Sequence, residues 1–174
     1  MLRNLATCTR VLYSRVNLMT LNIALAAFLV DQFIKFVIRS KFMLHESLPV
    51  FRGVFHVTFV KNYGAALGFL KGRNDFLILS AVASIILLLA YSQRVRLNEI
   101  YYKISLGLLL GGALGNLFDR CILGFVVDYF DLRFFPAIFN MADLFIDVGV
   151  LYLFYRILTT NEETFWPFVE RSPE

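Results

Sequence analysis

The sequence predicts an all-α transmembrane four-helix bundle carrying a small β-containing insert. Three observations predict it. Hydrophobic residues make up 59% of the 174 residues, against roughly 45–50% in soluble domains, and mean hydropathy is +0.68. Four apolar stretches, 18–38, 76–91, 104–123 and 136–158, approach the ~20 residues that a helix needs to cross hydrocarbon. The connections between the second, third and fourth stretches are short, which makes these helices antiparallel neighbours.

The first stretch, Leu18–Ile38, follows Arg3, Arg10 and Arg15 and contains the small residues of Ala24–Ala27, as a cleaved leader would. Its apolar run continues to Ile38 and holds an acid–base pair, so it is expected to be a retained span. Residues 39–75 form the one sizeable insert. Within it VFRGVFHVTFVKN, Val50–Asn62, is rich in β-branched and aromatic residues and reads as strand. The glycine-rich NYGAALGFLKG that follows reads as a bend. In the polar tail after Thr159, Phe165, Trp166 and Phe168 suit the headgroup level. Lys and Arg divide equally between the two sides. The dense Arg94–Lys103 turn and the Arg-bearing N-terminus favour termini inside.

Composition also excludes. A formal charge of +4 and a pI near 9.2 are compatible with nucleic acid, but the basic residues are scattered and form no nucleic-acid motif. They read as loop charges near the anionic headgroups of a phospholipid bilayer. Cys8 and Cys121 form no CxxC, and His45 and His56 share one polar segment without convergent partners. No metal site is expected.

Function is carried by polar residues in apolar places, because an ionisable side chain inside a span is costly unless paired or wet. DQFIK puts Asp31 and Lys35 one helical turn apart, as an internal ion pair or as a grip beside a site. In SLGLLLGGALGNLFDR, Gly107, Gly111 and Gly115 make a smooth face for close helix packing. Asn116 and Arg120 follow on one face, where a guanidinium could clamp a carboxylate or phosphate, or tie down the helix end. Asp128, in GFVVDYF, and Asp143, in FNMADLF, can meet at the membrane edge if the first ends the third hairpin arm and the second begins the fourth span. Two facing carboxylates in low dielectric share a proton, which suits attack of water on an amide. Asp143 with Asp147, four residues on, is an equally easy pair. A proton or cation path would use similar residues, and a purely structural subunit would use the glycine face.

Five motifs, in order, bear on this choice: DQFIK (Asp31–Lys35), NYGAALG (Asn62–Gly68), GGALGNLFDR (Gly111–Arg120), VVDYF (Val126–Phe130) and FNMAD (Phe139–Asp143). On these motifs the chain resembles the lipoprotein signal peptidase (signal peptidase II) family of bacteria. The resemblance implies an intramembrane aspartyl endopeptidase that needs no cofactor. It implies cleavage of signal peptides from prolipoproteins before a diacylglyceryl-modified cysteine. Asp128 and Asp143 would be the catalytic dyad. Asn62 and Gly64 would line the substrate groove. Asn116, Arg120 and Asn140 would support the site or contact substrate, and Asp31 with Lys35 would be the family's pair in the first span. The implied fold is four helices with a small β cradle and a short amphipathic helix. The enzyme would be a monomer in the bacterial inner membrane, termini cytoplasmic, with the insert and site at the periplasmic face. Tyr129, Leu144 and Leu67 depart from residues common in the family, which touches packing around the groove. Asp147 is outside the family's motif.

Overall fold

The computed structural model describes residues 17–64, 70, 72–94 and 100–159. Four helices and four strands run along these residues, the strands in pairs between helices: α1 (Leu18–Lys41), β1 (Ser47–Phe51), β2 (Phe55–Asn62), α2 (Asn74–Arg94), α3 (Ile100–Leu123), β3 (Val126–Leu132), β4 (Ile138–Phe139) and α4 (Met141–Thr159).

Helix α1 begins at Asn17, whose side-chain oxygen accepts from the Met19 N–H at 2.9 Å, a typical N-cap bond. It buries one stripe: Thr20, Ala24, Ala27, Asp31, Lys35 and Ile38. The steps of three and four residues put this stripe on one face. The other face shows Leu21, Leu25, Leu29, Phe33 and Phe36 to the outside. An exposed apolar face of this extent marks contact with something other than water. By length and composition α1 and α3 are apolar enough to cross a membrane; α2 has a shorter apolar stretch over Asn74–Ala90.

Helix α3 is the hub, packed against α1, α2 and α4. Its glycines explain how closely. A Cβ on Gly111 would lie 2.6 Å from the Ala24 carbonyl oxygen and 2.7 Å from the Ala27 Cβ. A Cβ on Gly115 would lie 2.5 Å from the Asp31 carboxylate. The glycine face read from the sequence is therefore the seat of α1.

The strands form one antiparallel sheet in the order β1-β2-β3-β4. Half of it lies outside the expected insert, 39–75. Strand β3 comes from the segment between the third and fourth apolar stretches and β4 from the start of the fourth, and the fourth helix begins at Met141 rather than near Pro136. The expected span ran too far because Pro136–Phe139 is apolar, yet Ile138 and Phe139 pair with Asp131 and Phe130. Gly124 makes the change from α3 to β3. Its φ is +77° and its N–H bonds the Arg120 carbonyl at 3.2 Å, a left-handed helix stop that favours glycine. The short amphipathic helix implied by the family resemblance does not occur among the described residues; 65–69 and 71 lie outside them, as do Cys8 and the aromatic tail. A small core of Ile38, Phe59, Val127 and Tyr129 joins the sheet to the end of α1.

Candidate active site

The polar residues within the apolar runs converge where the sheet meets α3 and the start of α4. Asp128 sits on β3, in the sheet and not at the end of a helical arm. Opposite it, β2 carries a bulge: Val57 pairs with Phe130 but Val60 pairs with Asp128, so one extra residue lies between. Bulges re-aim side chains and often border active sites. Asn62, two residues beyond Val60, donates its amide to Asp128 Oδ2 at 2.8 Å. Asn140 donates to Asp128 Oδ1 at 2.6 Å.

Asp143 lies in the first turn of α4. Its Oδ2 accepts from the Asn140 backbone N–H at 3.1 Å, while Asn140 Oδ1 accepts from the Asp143 N–H at 3.1 Å. This is a capping box built from Asn and Asp. Asp143 Oδ1 accepts from Asn116 Nδ2 at 2.7 Å. One residue, Asn140, thus holds both carboxylates, and it is fully buried.

Beneath this layer lies a closed charge cluster. Lys35 Nζ reaches Asp31 at 2.9 Å, Asp119 at 3.1 Å and the Asn116 side-chain oxygen at 3.0 Å. All three ammonium hydrogens have acceptors, which is what a buried lysine requires. Asp31 also accepts from the Ala142 N–H at 2.9 Å, and Asp119 from the Val127 N–H at 3.1 Å. The cluster therefore ties α1 and α3 to β3 and α4, the elements that carry Asp128 and Asp143. Arg120 Nη2 donates to the Gly64 carbonyl at 3.3 Å and its Nη1 to the Asn116 carbonyl at 3.3 Å. The guanidinium thus joins α3 to the residue just past β2. Gly64 itself donates its N–H to Asn62 Oδ1 at 2.9 Å.

Both carboxylates open on one cavity of about 630 Å³. Asn62, Asn116 and Arg120 contribute to its polar wall; Phe135, Ile138, Phe139 and Leu144 contribute to its apolar one. Asp147 lines it one helical turn beyond Asp143. Burial, and after it the nearby Asp143 charge, raise Asp128 to about 7 against the lowering effect of the Asn62 and Asn140 hydrogen bonds. Among the described residues no group of three or more His, Cys, Asp or Glu is placed to hold a metal ion. Asp143 and Asp147, the alternative pair, line the same cavity, but the buried donors converge on Asp128 and Asp143.

A sequence model described as Signal peptidase (SPase) II matches residues 23–159. The chain belongs to the signal peptidase II family. It is 42% identical over 139 residues to the lipoprotein signal peptidase of Caldanaerobacter subterraneus subsp. tengcongensis, covering 78% of this chain and 94% of that one. It is 41% identical over 138 residues to that of Halothermothrix orenii, covering 77% and 94%. A solved bacterial membrane enzyme structure superposes with a TM-score of 0.76 at 27% identity, covering 88% of this chain and 94% of the other. The chain is thus a membrane protein of a peptidase family.

Three residues of this signal peptidase II chain hold the site together and were given no site role from sequence. Asp119 was visible only as a helix-end acid, three residues past Asn116. Gln32, inside DQFIK, donates to Asp31, Asp119 and the Gly115 carbonyl at 3.1–3.2 Å. The Tyr129 hydroxyl accepts from the Met141 N–H at 3.0 Å, and burial raises its pKa. The one available signal was their place inside motifs read for other residues.

Proposed function

We propose that the chain is an aspartyl endopeptidase that removes signal peptides from bacterial prolipoproteins, cutting on the N-terminal side of a diacylglyceryl-modified cysteine. The observation that carries this reading is the pairing of Asp128 and Asp143 across one cavity, each fixed by neutral amide donors and both by Asn140. At neutral pH the pair holds one proton, because two carboxylates in a low dielectric do not both ionise easily. Asp128, the more buried of the two, acts as the acid. Asp143 takes the proton of a water held between them, and Asp128 donates its proton to the scissile carbonyl as the tetrahedral centre forms. On collapse Asp143 returns its proton to the leaving nitrogen, the C–N bond breaks, and the hydroxyl proton on the former carbonyl oxygen passes back to Asp128.

The apolar part of the cavity suits the acyl chains of the substrate. Anchoring the lipid positions the amide before chemistry starts and converts binding into orientation. Arg120 and Gly64 form the rim where the extended substrate passes. In this reading the four helices all span the bacterial inner membrane, the termini are cytoplasmic, the sheet lies at the periplasmic face, and the enzyme works as a monomer without a cofactor. Arg94, Arg96 and Lys103, on the same side as the termini, support the orientation.

Purified enzyme in detergent, given a diacylglyceryl-modified prolipoprotein in the presence of a chelator, should release the signal peptide. Asp128→Asn and Asp143→Asn should each abolish release while melting within a few degrees of wild type. Cleavage by either variant at near wild-type rate would remove the dyad assignment. No cleavage by folded wild type would remove the function.

A further inference from the structure

Asp147 is the one carboxylate on the cavity that the mechanism does not use. It lies on α4 one turn past Asp143, about 6 Å further along the axis at 1.5 Å per residue. It lines the same cavity, is exposed there, and has no hydrogen-bond or ion-pair partner among the described residues. The face around it is apolar and outward: Val148, Val150, Leu151 and Phe154 are all at least half exposed. A carboxyl group in such a place is expensive once water leaves, unless something donates a hydrogen bond to it.

Water leaves when substrate enters. The following rests on the peptidase reading. Helix α4 runs away from the sheet, so Asp147 lies farther from the sheet along the helix than Asp143. The signal segment of the substrate, on the N-terminal side of the cut, lies on that side too. An extended peptide advances about 3.3 Å per residue, so 6 Å corresponds to about two residues.

We infer that Asp147 is a specificity-determining residue, which accepts a hydrogen bond from a hydroxyl-bearing side chain about two residues N-terminal to the cleaved bond. A serine or threonine is the donor that fits. It reaches a carboxylate over a short distance and is cheaper to desolvate than a lysine ammonium, which in an apolar groove carries a penalty of several kcal/mol. A leucine there leaves the Asp147 carboxyl group buried and unsatisfied, so the site rejects it.

The test uses four diacylglyceryl-modified substrates that differ only in having Ser, Ala, Leu or Lys at the second residue before the cut, with a second set varied at the third. The quantity read is kcat/KM. Wild type should favour Ser over Leu by about tenfold or more at one of the two positions. Asp147→Val should bring that ratio to near one or reverse it. Asp147→Asn keeps a carbonyl acceptor and should retain a reduced preference for Ser. The same Ser-to-Leu ratio in wild type and Asp147→Val would overturn the inference. So would an equal loss on all substrates in Asp147→Val, which a merely structural role produces, or a preference of wild type for Lys over Ser. If wild type cleaves none of the substrates, the peptidase reading itself falls.

Discussion

Asn140 and Asp143 exchange backbone and side-chain hydrogen bonds at 3.1 Å in both directions, so the bonds that start α4 are the bonds that aim a carboxylate. Asn140 also holds Asp128 at 2.6 Å. Local helix initiation and site assembly are therefore one event, and substitutions at this residue should affect stability and chemistry together.

Asn140→Ala removes the cap and the donor to Asp128. Loss of an N-cap costs about 1 kcal/mol, and the orphaned Asp128 oxygen adds to that. We expect a lower melting temperature in detergent and a cleavage rate reduced at least a hundredfold. Asn140→Asp keeps a cap acceptor but puts a third buried carboxylate against Asp128 and the Asn116 oxygen, so it should lower both stability and rate.

Lys35→Met leaves Asp31 and Asp119 facing each other without their cation. Removing one partner of a buried ion pair costs about 3–5 kcal/mol. The variant should unfold at markedly lower temperature or fail to accumulate. Adding Asp31→Asn to Lys35→Met should recover part of the loss, and a double variant no better than the single would contradict the cluster's role.

Cleavage should fall as pH rises through about 7, where Asp128 loses its proton. The hydrogen bonds from Asn62 and Asn140 lower this pKa. Asn62→Ala should therefore move the alkaline limb of the rate profile upward while reducing the maximum. Stability follows the same group. The folded pKa is raised above 3.8, so between about 4 and 7 the unfolded chain releases its proton while the fold keeps it, and stability declines as pH rises across that window. In Asp128→Asn this share of the pH dependence should vanish from thermal melts.

Gly111→Leu should separate α1 from α3. The position already leaves no room for a Cβ, and overpacking costs about 1–3 kcal/mol or more where backbone must move. Gly111→Ala should show a smaller loss in the same melting assay.

Much of this was legible in the sequence, for a definite reason. In an apolar chain each buried polar residue carries a cost, so Asp31, Lys35, Asn116, Asp143 and the glycine face stand out against their surroundings. The sheet was harder to see. Strand β3 buries Val126, Val127, Asp128 and Tyr129 in succession, so it lacks the alternation that marks a half-buried strand. It reads as the tail of a helical hairpin. Strand β4 has only two residues, too few to leave a pattern. Asp119 and Gln32 were hidden for another reason: their importance lies in partners on distant elements, and the spacing of one segment cannot show those.

The division of the sheet has a bearing on biosynthesis. Strands β1 and β2 are made early and β3 and β4 late, with two helices translated between them. Asp128 has no amide from Asn140, and Asp143 has no capped helix to sit on, until the last hairpin folds back onto strands that left the ribosome roughly seventy residues before. In the proposed reading, a half-made chain inserting beside other nascent membrane proteins therefore carries no finished hydrolytic centre, and its neighbours are safe from it until its own assembly is almost done.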